Sequence, residues 1–220
     1  MSDCCRYDSD VIEQIKKRTS PVVTVYLSYL QSYLYFATLS REEIFSRLEL
    51  SSETESKVNK EISELTGLWN YKNILCVHSR RGDYLTTGLH SPSSFSFLLK
   101  ATNEVYKKLG SNSTLVLLIG DDKKWQESIA KTLQHDGKSA VVLPRLKTFS
   151  SPVADWDVSR KYCDTVLLTA SSSTFGWWLA FLSKGQKVYY NSEFARNPLL
   201  RNQLEAAHFF PPSWTPLNYS

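Results

Sequence analysis

The sequence predicts an α/β fold built on a parallel β-sheet, and two observations support this prediction. From residue 72 onward, short apolar runs alternate with segments of helical spacing, at the distances typical of βαβ units. The apolar runs have strand length and end in polar or small residues, as buried parallel strands do. The expected strands are residues 73–78, 115–119, 140–143, 165–169 and 187–190. Five strands joined by four crossovers make a Rossmann-like parallel sheet.

Apolar spacing and capping residues predict the helices between these strands. Residues 93–109 carry apolar side chains at helical intervals. Asp121 or Asp122 can cap a helix that begins near Lys123 and ends at residues 135–137. Shorter helices are expected at residues 155–163 and 175–184, the second closed by Gly185. The proline-rich, aromatic tail at residues 209–217 is expected to lie over the surface.

The first 70 residues have a different pattern, with helix-like segments and no clear strand. The expected helices are residues 10–18, about 25–39, 41–48 and 54–65. A region of this size is too short for a complete second α/β lobe. We therefore expect a short, mainly helical region at residues 1–70 and a Rossmann-like domain at residues 71–220.

Composition indicates a globular chain. Its 220 residues, 42% hydrophobic and 13% aromatic, can bury a core, which excludes disorder for the bulk of the chain. A net charge of +4 permits an anionic ligand, but there is no basic arm or stripe that would imply nucleic acid. The first ten residues do not resemble a signal peptide. Residues 21–40 are uncharged over the length of a bilayer crossing, although Gln31 and several hydroxyls argue against a span.

The four cysteines do not have metal-site spacing. Cys76 and Cys163 each adjoin apolar runs and are expected to be buried thiols. Cys4 and Cys5 could pair with a partner outside this chain. Because no C-x-x-C or Cys/His set occurs, a structural zinc site is not expected.

The strongest local signal follows the first predicted strand, at residues 78–84, His-Ser-Arg-Arg-Gly-Asp-Tyr. Ligands of open parallel sheets bind at this end of a strand. Arg80 and Arg81 could clamp a diphosphate whose charge grows as it departs, or could form a surface pair with Asp83 and other carboxylates. His78 could contact a sugar or phosphate, or be a hydrogen-bonded structural residue.

A second signal follows the fourth strand, where residues 169–176 read Thr-Ala-Ser-Ser-Ser-Thr-Phe-Gly. Hydroxyl residues at a helix N-terminus offer O–H and backbone N–H donors to an anion without a metal, and the same residues could merely cap the helix. No P-loop or G-x-G-x-x-G fingerprint is present.

Four aspartates are harder to assign. Asp121 and Asp122 could bind a metal or cap a helix, and Asp155 and Asp157 could accept from a base N–H or a ribose hydroxyl. Further along, Trp177, Trp178 and Phe181 fall on an apolar helix and are expected in the core or at a lobe interface.

Together these motifs resemble glycosyltransferase family 11, the α-1,2-fucosyltransferases. The family's H-x-R-R-x-D motif corresponds to residues 78–83, and its S-x-F-G-[WF]-W element to residues 173–178. Further matches are a Y-x-Q-S-x-x-Y-F stretch at residues 29–36, a Gly-Asp-Asp to Trp element at residues 120–125 and the Pro-Pro-Ser-Trp of residues 211–214. H-x-R-R also occurs in other inverting fucosyltransferases, but the ordered set is specific.

This resemblance implies a GT-B fold and inverting transfer of L-fucose from GDP-β-L-fucose to the 2-hydroxyl of a terminal galactose, without a metal or other cofactor. Arg80 and Arg81 would stabilise the GDP leaving group, and Asp157 would read guanine or ribose. Asp83 and His78 are the nearest candidates for the catalytic base. The residues expected to hold the β-phosphate are Ser172, Ser173, Thr174 and Phe175.

The resemblance also sets expectations for the setting of the protein. The partners would be GDP-fucose and a galactose-terminated glycan, in the Golgi lumen, with membrane association only if an anchor is missing from this chain. The Arg motif follows only some seventy residues, so we expect a truncated or divergent member. Two alternatives are an inactive GDP-sugar or glycan-binding remnant, and a fucosyltransferase with another acceptor.

Overall fold

The computed structural model describes residues 5–26, 30–49, 51–66, 71–110, 113–144 and 152–219. The strands are β1 (Asn73–Ser79), β2 (Thr114–Gly120), β3 (Ser139–Val142), β4 (Thr165–Leu168), β5 (Lys187–Asn191) and β6 (Thr215–Leu217). The helices are α1 (Ser9–Lys16), α2 (Arg41–Ser46), α3 (Ser52–Thr66), α4 (Tyr84–Thr87), α5 (Phe95–Leu109), α6 (Lys123–His135), α7 (Pro152–Tyr162), α8 (Thr174–Phe181), α9 (Pro198–Gln203) and α10 (Ala206–Phe209). The α/β fold with a parallel sheet is confirmed.

The order of strands in the sheet indicates where a ligand crevice is expected. The order is β3-β2-β1-β4-β5-β6, and every neighbouring pair is parallel. From β1 the chain moves outward through β2 and β3, then returns to β4 on the other side of β1. The carboxyl ends of β1 and β4 therefore flank a topological switch point, where open parallel sheets bind their ligands.

Side chains of the central strand alternate between two apolar layers. Ile74 and Cys76 point into the layer covered by α7 and α8, whereas Leu75 and Val77 point into the layer covered by α5 and α6. This alternation is the two-residue period of a strand. Both faces of β1 are covered, which explains its continuous apolar sequence.

The two cysteines expected as buried thiols are buried, but they form a disulfide, so the prediction of free thiols is wrong. Cys76 lies on β1 and Cys163 lies two residues before the start of β4; their Cα atoms are 5.5 Å apart across 87 residues of sequence. The pairing depends on β4 lying beside β1, which local sequence does not reveal. Cys5 is buried and its thiol donates to the Gln31 Oε1 at 3.3 Å.

The N-terminal region contains the expected helices at α1, α2 and α3, but the helix predicted at about residues 25–39 is wrong for the described part of that segment. There the chain is irregular, apart from a 3-10 turn at Tyr33–Tyr35. Phe36 stacks on Trp178 at a ring distance of 5.4 Å and meets Trp177 edge-on at 5.8 Å. Tertiary packing of the aromatic side chains thus replaces helical periodicity here.

The C-terminal tail is integrated into the fold, and the expectation of a surface segment is wrong. Its residues 215–217 form β6, which pairs with β5. Phe209, Phe210 and Trp214 are buried, and the Trp177 indole donates to the Phe209 carbonyl oxygen at 2.8 Å. The tail is anchored because its aromatic side chains complete the layer that contains α8. The expectation that Trp177, Trp178 and Phe181 pack in the core is confirmed.

Among the helices that the structure describes, none has the length and apolar character that a membrane crossing needs.

Candidate functional site

The candidate site lies where the carboxyl ends of β1, β2 and β4 meet. β1 and β2 stay paired up to Ser79 and Gly120, so the loops that follow them start side by side. Gly120 has a φ of +156°, and a Cβ there would collide with the Ser79 carbonyl oxygen. The close approach of the two loops therefore requires glycine.

Arg80 presents a partly accessible guanidinium at this edge. Its Nη2 lies 2.8 Å from the Asp83 Oδ1, and its Nε lies 3.4 Å from the Asp121 Oδ2. The side chain keeps 35% of its surface exposed. Its backbone N–H donates to the Ser93 Oγ at 3.0 Å, which fixes the start of the loop. Arg80 is thus oriented by carboxylates yet open to a ligand.

Arg81 is engaged more fully by the protein. Its Nε lies 3.2 Å from the Asp122 Oδ2, and its Nη1 donates to the Ser93 carbonyl oxygen at 3.1 Å. The guanidinium carbon lies 4.5 Å from the centre of the Trp125 ring, a cation–π contact. These contacts favour a structural role, so the two arginines of the motif are not equivalent.

The paired aspartates after β2 are partners of this arginine loop. Asp121 accepts the Arg81 backbone N–H at 3.0 Å. Asp122 caps α6 by accepting from the Trp125 backbone N–H at 3.1 Å, as the sequence allowed. The described residues hold no group of three or more His, Cys, Asp or Glu arranged for a metal ion. The expected independence from metal stays a prediction.

The serine turn, defined here as residues 171–173 between β4 and α8, leaves backbone donors unused. Ser173 is the N-cap, and its Oγ accepts from the Gly176 N–H at 3.2 Å. Within the described residues, no acceptor is found for the amide hydrogens of Thr174 and Phe175. Thr174 is exposed, so this helix N-terminus is accessible to an anion.

His78 lies beneath α8 and is fully enclosed. Gly176 packs directly on its imidazole, where a Cβ would collide with the ring. In the part of the chain that the structure describes, neither ring nitrogen has a hydrogen-bond partner. Burial, reinforced by the charge of Arg80, lowers the pKa of His78 to about 3. The ring is therefore neutral at physiological pH and faces the protein interior.

Sequence reasoning gave no role to Tyr84, the last residue of the motif at 78–84, and it missed His90, and both lie at the edge of this site. Their rings stack at 4.3 Å with an interplanar angle of 11°. The His90 Nδ1 lies 3.0 Å from the Ser172 Oγ. His90 sits in a loop without a motif, so no sequence pattern indicated its position.

Asp157 is the predicted site residue that the structure does not bring to Arg80. Its buried carboxylate pairs with Arg160 and Lys161, each at 2.8 Å, and Lys161 also pairs with Glu55 of α3. Its assignment to guanine or ribose stays a prediction. Asp155, near the start of α7, has its pKa raised to about 6 by burial, with Lys123 opposing the shift.

Comparison with known proteins agrees with these motifs. The sequence model of glycosyl transferase family 11 matches residues 7–218. A galactoside 2-alpha-L-fucosyltransferase of Caenorhabditis elegans is 31% identical over 220 residues, which cover 99% of this chain and 58% of the relative. A second C. elegans protein of that name is 28% identical over 240 residues, covering 97% of this chain and 57% of the relative. The chain thus spans somewhat more than half the length of these relatives.

The fold has a counterpart among solved structures. The NodZ alpha-1,6-fucosyltransferase co-crystallized with GDP superposes with a TM-score of 0.51 and 17% identity, over 80% of this chain and 57% of that one. At this identity the likeness shows the fold alone, which is of the GT-B type. Since the family model covers nearly the whole chain, the protein belongs to glycosyltransferase family 11.

Proposed function

We propose that this chain contains the donor-binding part of an inverting fucosyltransferase, which transfers L-fucose from GDP-β-L-fucose to the 2-hydroxyl of a terminal galactose. Family membership and the names of the C. elegans relatives support this choice of donor and acceptor. The finer assignments below rest on the geometry of the switch point.

One observation carries the proposal. Arg80, with its guanidinium partly open, and the unpartnered amides of Thr174 and Phe175 follow adjacent strands of the sheet. A cation and free amides at a helix N-terminus complement a diphosphate, and they stabilise the charge that develops as it leaves. Arg80 would bind the leaving group, while the serine turn and the first residues of α8 would hold the β-phosphate.

The other motif residues support this pair. Arg81 would position the loop through Asp122 and Ser93, and His78 would support the start of α8 through Gly176. Of the two predicted base candidates, Asp83 is solvent-accessible and His78 is buried. Asp83 is therefore the candidate that we retain for accepting the proton of the acceptor hydroxyl.

Residues 71–220 would form the donor domain, and residues 1–70 would lie on the acceptor side. The disulfide between Cys76 and Cys163 supports folding in an oxidising compartment, such as the Golgi lumen.

The test combines calorimetric titration of GDP with transfer of radiolabelled fucose to a panel of galactosides, with and without a chelator. We expect GDP to bind without metal and Arg80→Ala to weaken binding by about 2–4 kcal/mol, because a charge-assisted contact is lost. Arg47→Ala, on the exposed end of α2, is the control and should bind as the wild type does. Unchanged GDP affinity in Arg80→Ala would contradict the donor site. Transfer of fucose to a galactoside would exclude the inactive binding remnant.

A further inference from the structure

Three residues, Tyr84, His90 and Ser172, form a cluster within the proposed donor site. The cluster lies between Arg80 and the serine turn. The His90 ring stacks on Tyr84, and the Arg80 guanidinium carbon lies 5.8 Å from the centre of the Tyr84 ring. On its other side, the His90 Nδ1 contacts the Ser172 Oγ. A single side chain therefore separates His90 from Arg80, and His90 touches the serine turn directly.

One nitrogen of His90 is available to a ligand. Stacking and the contact to Ser172 fix the ring in orientation. Within the described part of the chain, Nε2 has no hydrogen-bond partner, and it is not among the buried polar atoms. A half-buried imidazole that is held on one side and open on the other is suited to bind, since little side-chain entropy remains to be lost.

The charged groups of the site carry a net negative charge, so a further cation would favour the binding of an anion. The ion pairs around the arginine loop join two guanidinium groups, Arg80 and Arg81, to three carboxylates, Asp83, Asp121 and Asp122. This cluster carries one net negative charge before any ligand arrives. A diphosphate brought to this place adds negative charge in a partly desolvated setting, which favours protonation of a nearby base. His90 is the accessible imidazole beside it.

On the basis of the proposed function, we propose that His90 is a further phosphate-binding residue, which takes up a proton from solvent when the diphosphate of the sugar nucleotide binds. The imidazolium donates from Nε2 to a phosphate oxygen and from Nδ1 to the Ser172 Oγ. Binding of the donor is then tighter at low pH than at high pH.

The groups around His90 agree with a switch of this kind. Burial lowers the pKa of His90, and Asp83 opposes the shift, so the ring is neutral at pH 7 without ligand. Burial raises the pKa of Tyr84, which is stacked on the ring, so its hydroxyl is neutral at this pH. On the remaining side, the backbone of His90 bridges to Ala195, whose carbonyl oxygen accepts from Arg201 at 3.0 Å. Burial is thus what disfavours protonation of His90 until the charge of a bound anion favours the imidazolium.

The experiment is calorimetric titration of GDP-fucose at pH 6, 7 and 8, with each titration at pH 7 repeated in two buffers of different ionisation enthalpy. GDP-fucose is the probe because its diphosphate, esterified at both ends, does not titrate in this range. For the wild type we expect proton uptake on binding and an affinity that is about fivefold higher at pH 6 than at pH 8.

Two variants isolate His90. His90→Asn keeps a polar group near the Nδ1 position and removes Nε2, and His90→Gln is the second variant in case the first folds poorly. We expect either one to abolish proton uptake and flatten the pH dependence. His135→Asn is the matched control, since the His135 side chain is 91% exposed at the end of α6, and it should behave as the wild type.

Each outcome decides the proposal. Binding by the wild type without proton uptake overturns the role of His90 and leaves the proposed function standing. Uptake that persists in a folded His90→Asn or His90→Gln protein assigns the proton to another group and also overturns it. Absence of GDP-fucose binding by the folded wild type overturns the proposed function, and the inference with it.

Discussion

The loop after β1 and the turn after β4 stand side by side at the switch point and present their polar groups in opposite ways. The β1 loop is charged, and its arginines are held in ion pairs with Asp83, Asp121 and Asp122. The serine turn after β4 is neutral, and the start of α8 that follows it offers the backbone amides of Thr174 and Phe175. One region orients its donors by salt bridges and the other by helix geometry. An anion bound here would meet the charged guanidinium groups of the loop after β1 and the backbone N–H dipoles at the start of α8.

Removal of the disulfide is expected to have the largest effect, because it joins the strands that carry the two regions. The double variant Cys76→Ser, Cys163→Ser should lose about 4 kcal/mol of unfolding free energy, since the bond closes a loop of 87 residues. Urea unfolding under non-reducing conditions measures this, with Cys5→Ser as the control for a cysteine outside the bond. A loss below 1 kcal/mol would show that the sheet alone holds β1 against β4.

The role of the start of α8 in phosphate binding can be tested by removing one backbone N–H group. Thr174→Pro should lower the affinity for GDP by about 2 kcal/mol, because it deletes a charge-assisted N–H donor. Proline is tolerated at the first helical position, and Ser173 already has the extended conformation that must precede it, with φ −71° and ψ 115°. Thr174→Ala keeps the amide and should bind GDP nearly as the wild type does. Equal calorimetric affinities for both variants would place the phosphate elsewhere.

The buried imidazole of His78, beneath the start of α8, should make the free energy of unfolding depend on pH. The pKa of His78 is lowered to about 3, so its contribution to stability is complete above the unfolded pKa of about 6.5 and is lost as pH falls toward 3. Between pH 7 and pH 5 this contributes a loss of about 2 kcal/mol.

Urea unfolding of the wild type and of His78→Asn at both pH values tests this. The variant should show the smaller change between pH 7 and pH 5, even if its stability at pH 7 is lower. His135→Asn serves as the exposed control and should keep the wild-type change. The same pH dependence in wild type and His78→Asn would mean that the pKa of His78 is the same in the folded and unfolded protein.

The smallest expected effect separates the two arginines of the β1 loop. Arg81→Lys should weaken GDP binding by about 1 kcal/mol, because an ammonium keeps the charge but cannot match the contacts to Asp122, Ser93 and the Trp125 ring. Calorimetric titration of GDP into Arg81→Lys and into Arg80→Ala compares the two affinities. A loss as large as that of Arg80→Ala would assign Arg81 to the ligand directly.

The fold could be predicted well where the signal is local. The apolar runs at β1, β2, β4 and β5 and the capping aspartate before α6 lie where the sequence placed them. Tyr33–Tyr35 and β6 were missed, because aromatic side chains pack there against residues far away in sequence. Hydrophobic periodicity is informative for elements that pack regularly, and it is weak for segments anchored by a few large rings.

The candidate site was predictable in its residue types and in its place at the carboxyl edge of the sheet. The H-x-R-R-x-D and serine-rich motifs name the side chains, and parallel strands bring their carboxyl ends to one edge. Which arginine is open, which histidine is buried and which carboxylates are already paired depend on the neighbours that β2 and α6 supply.

By itself the sequence determined five of the six strands, most of the helices and the family motifs, because these depend on spacing within short stretches of chain. The tertiary structure decided that β4 lies beside β1, that Cys76 bonds to Cys163 and that His90 reaches Ser172 across 82 residues. These are contacts between distant segments, and they form only when burial of the two apolar layers fixes the order of the strands.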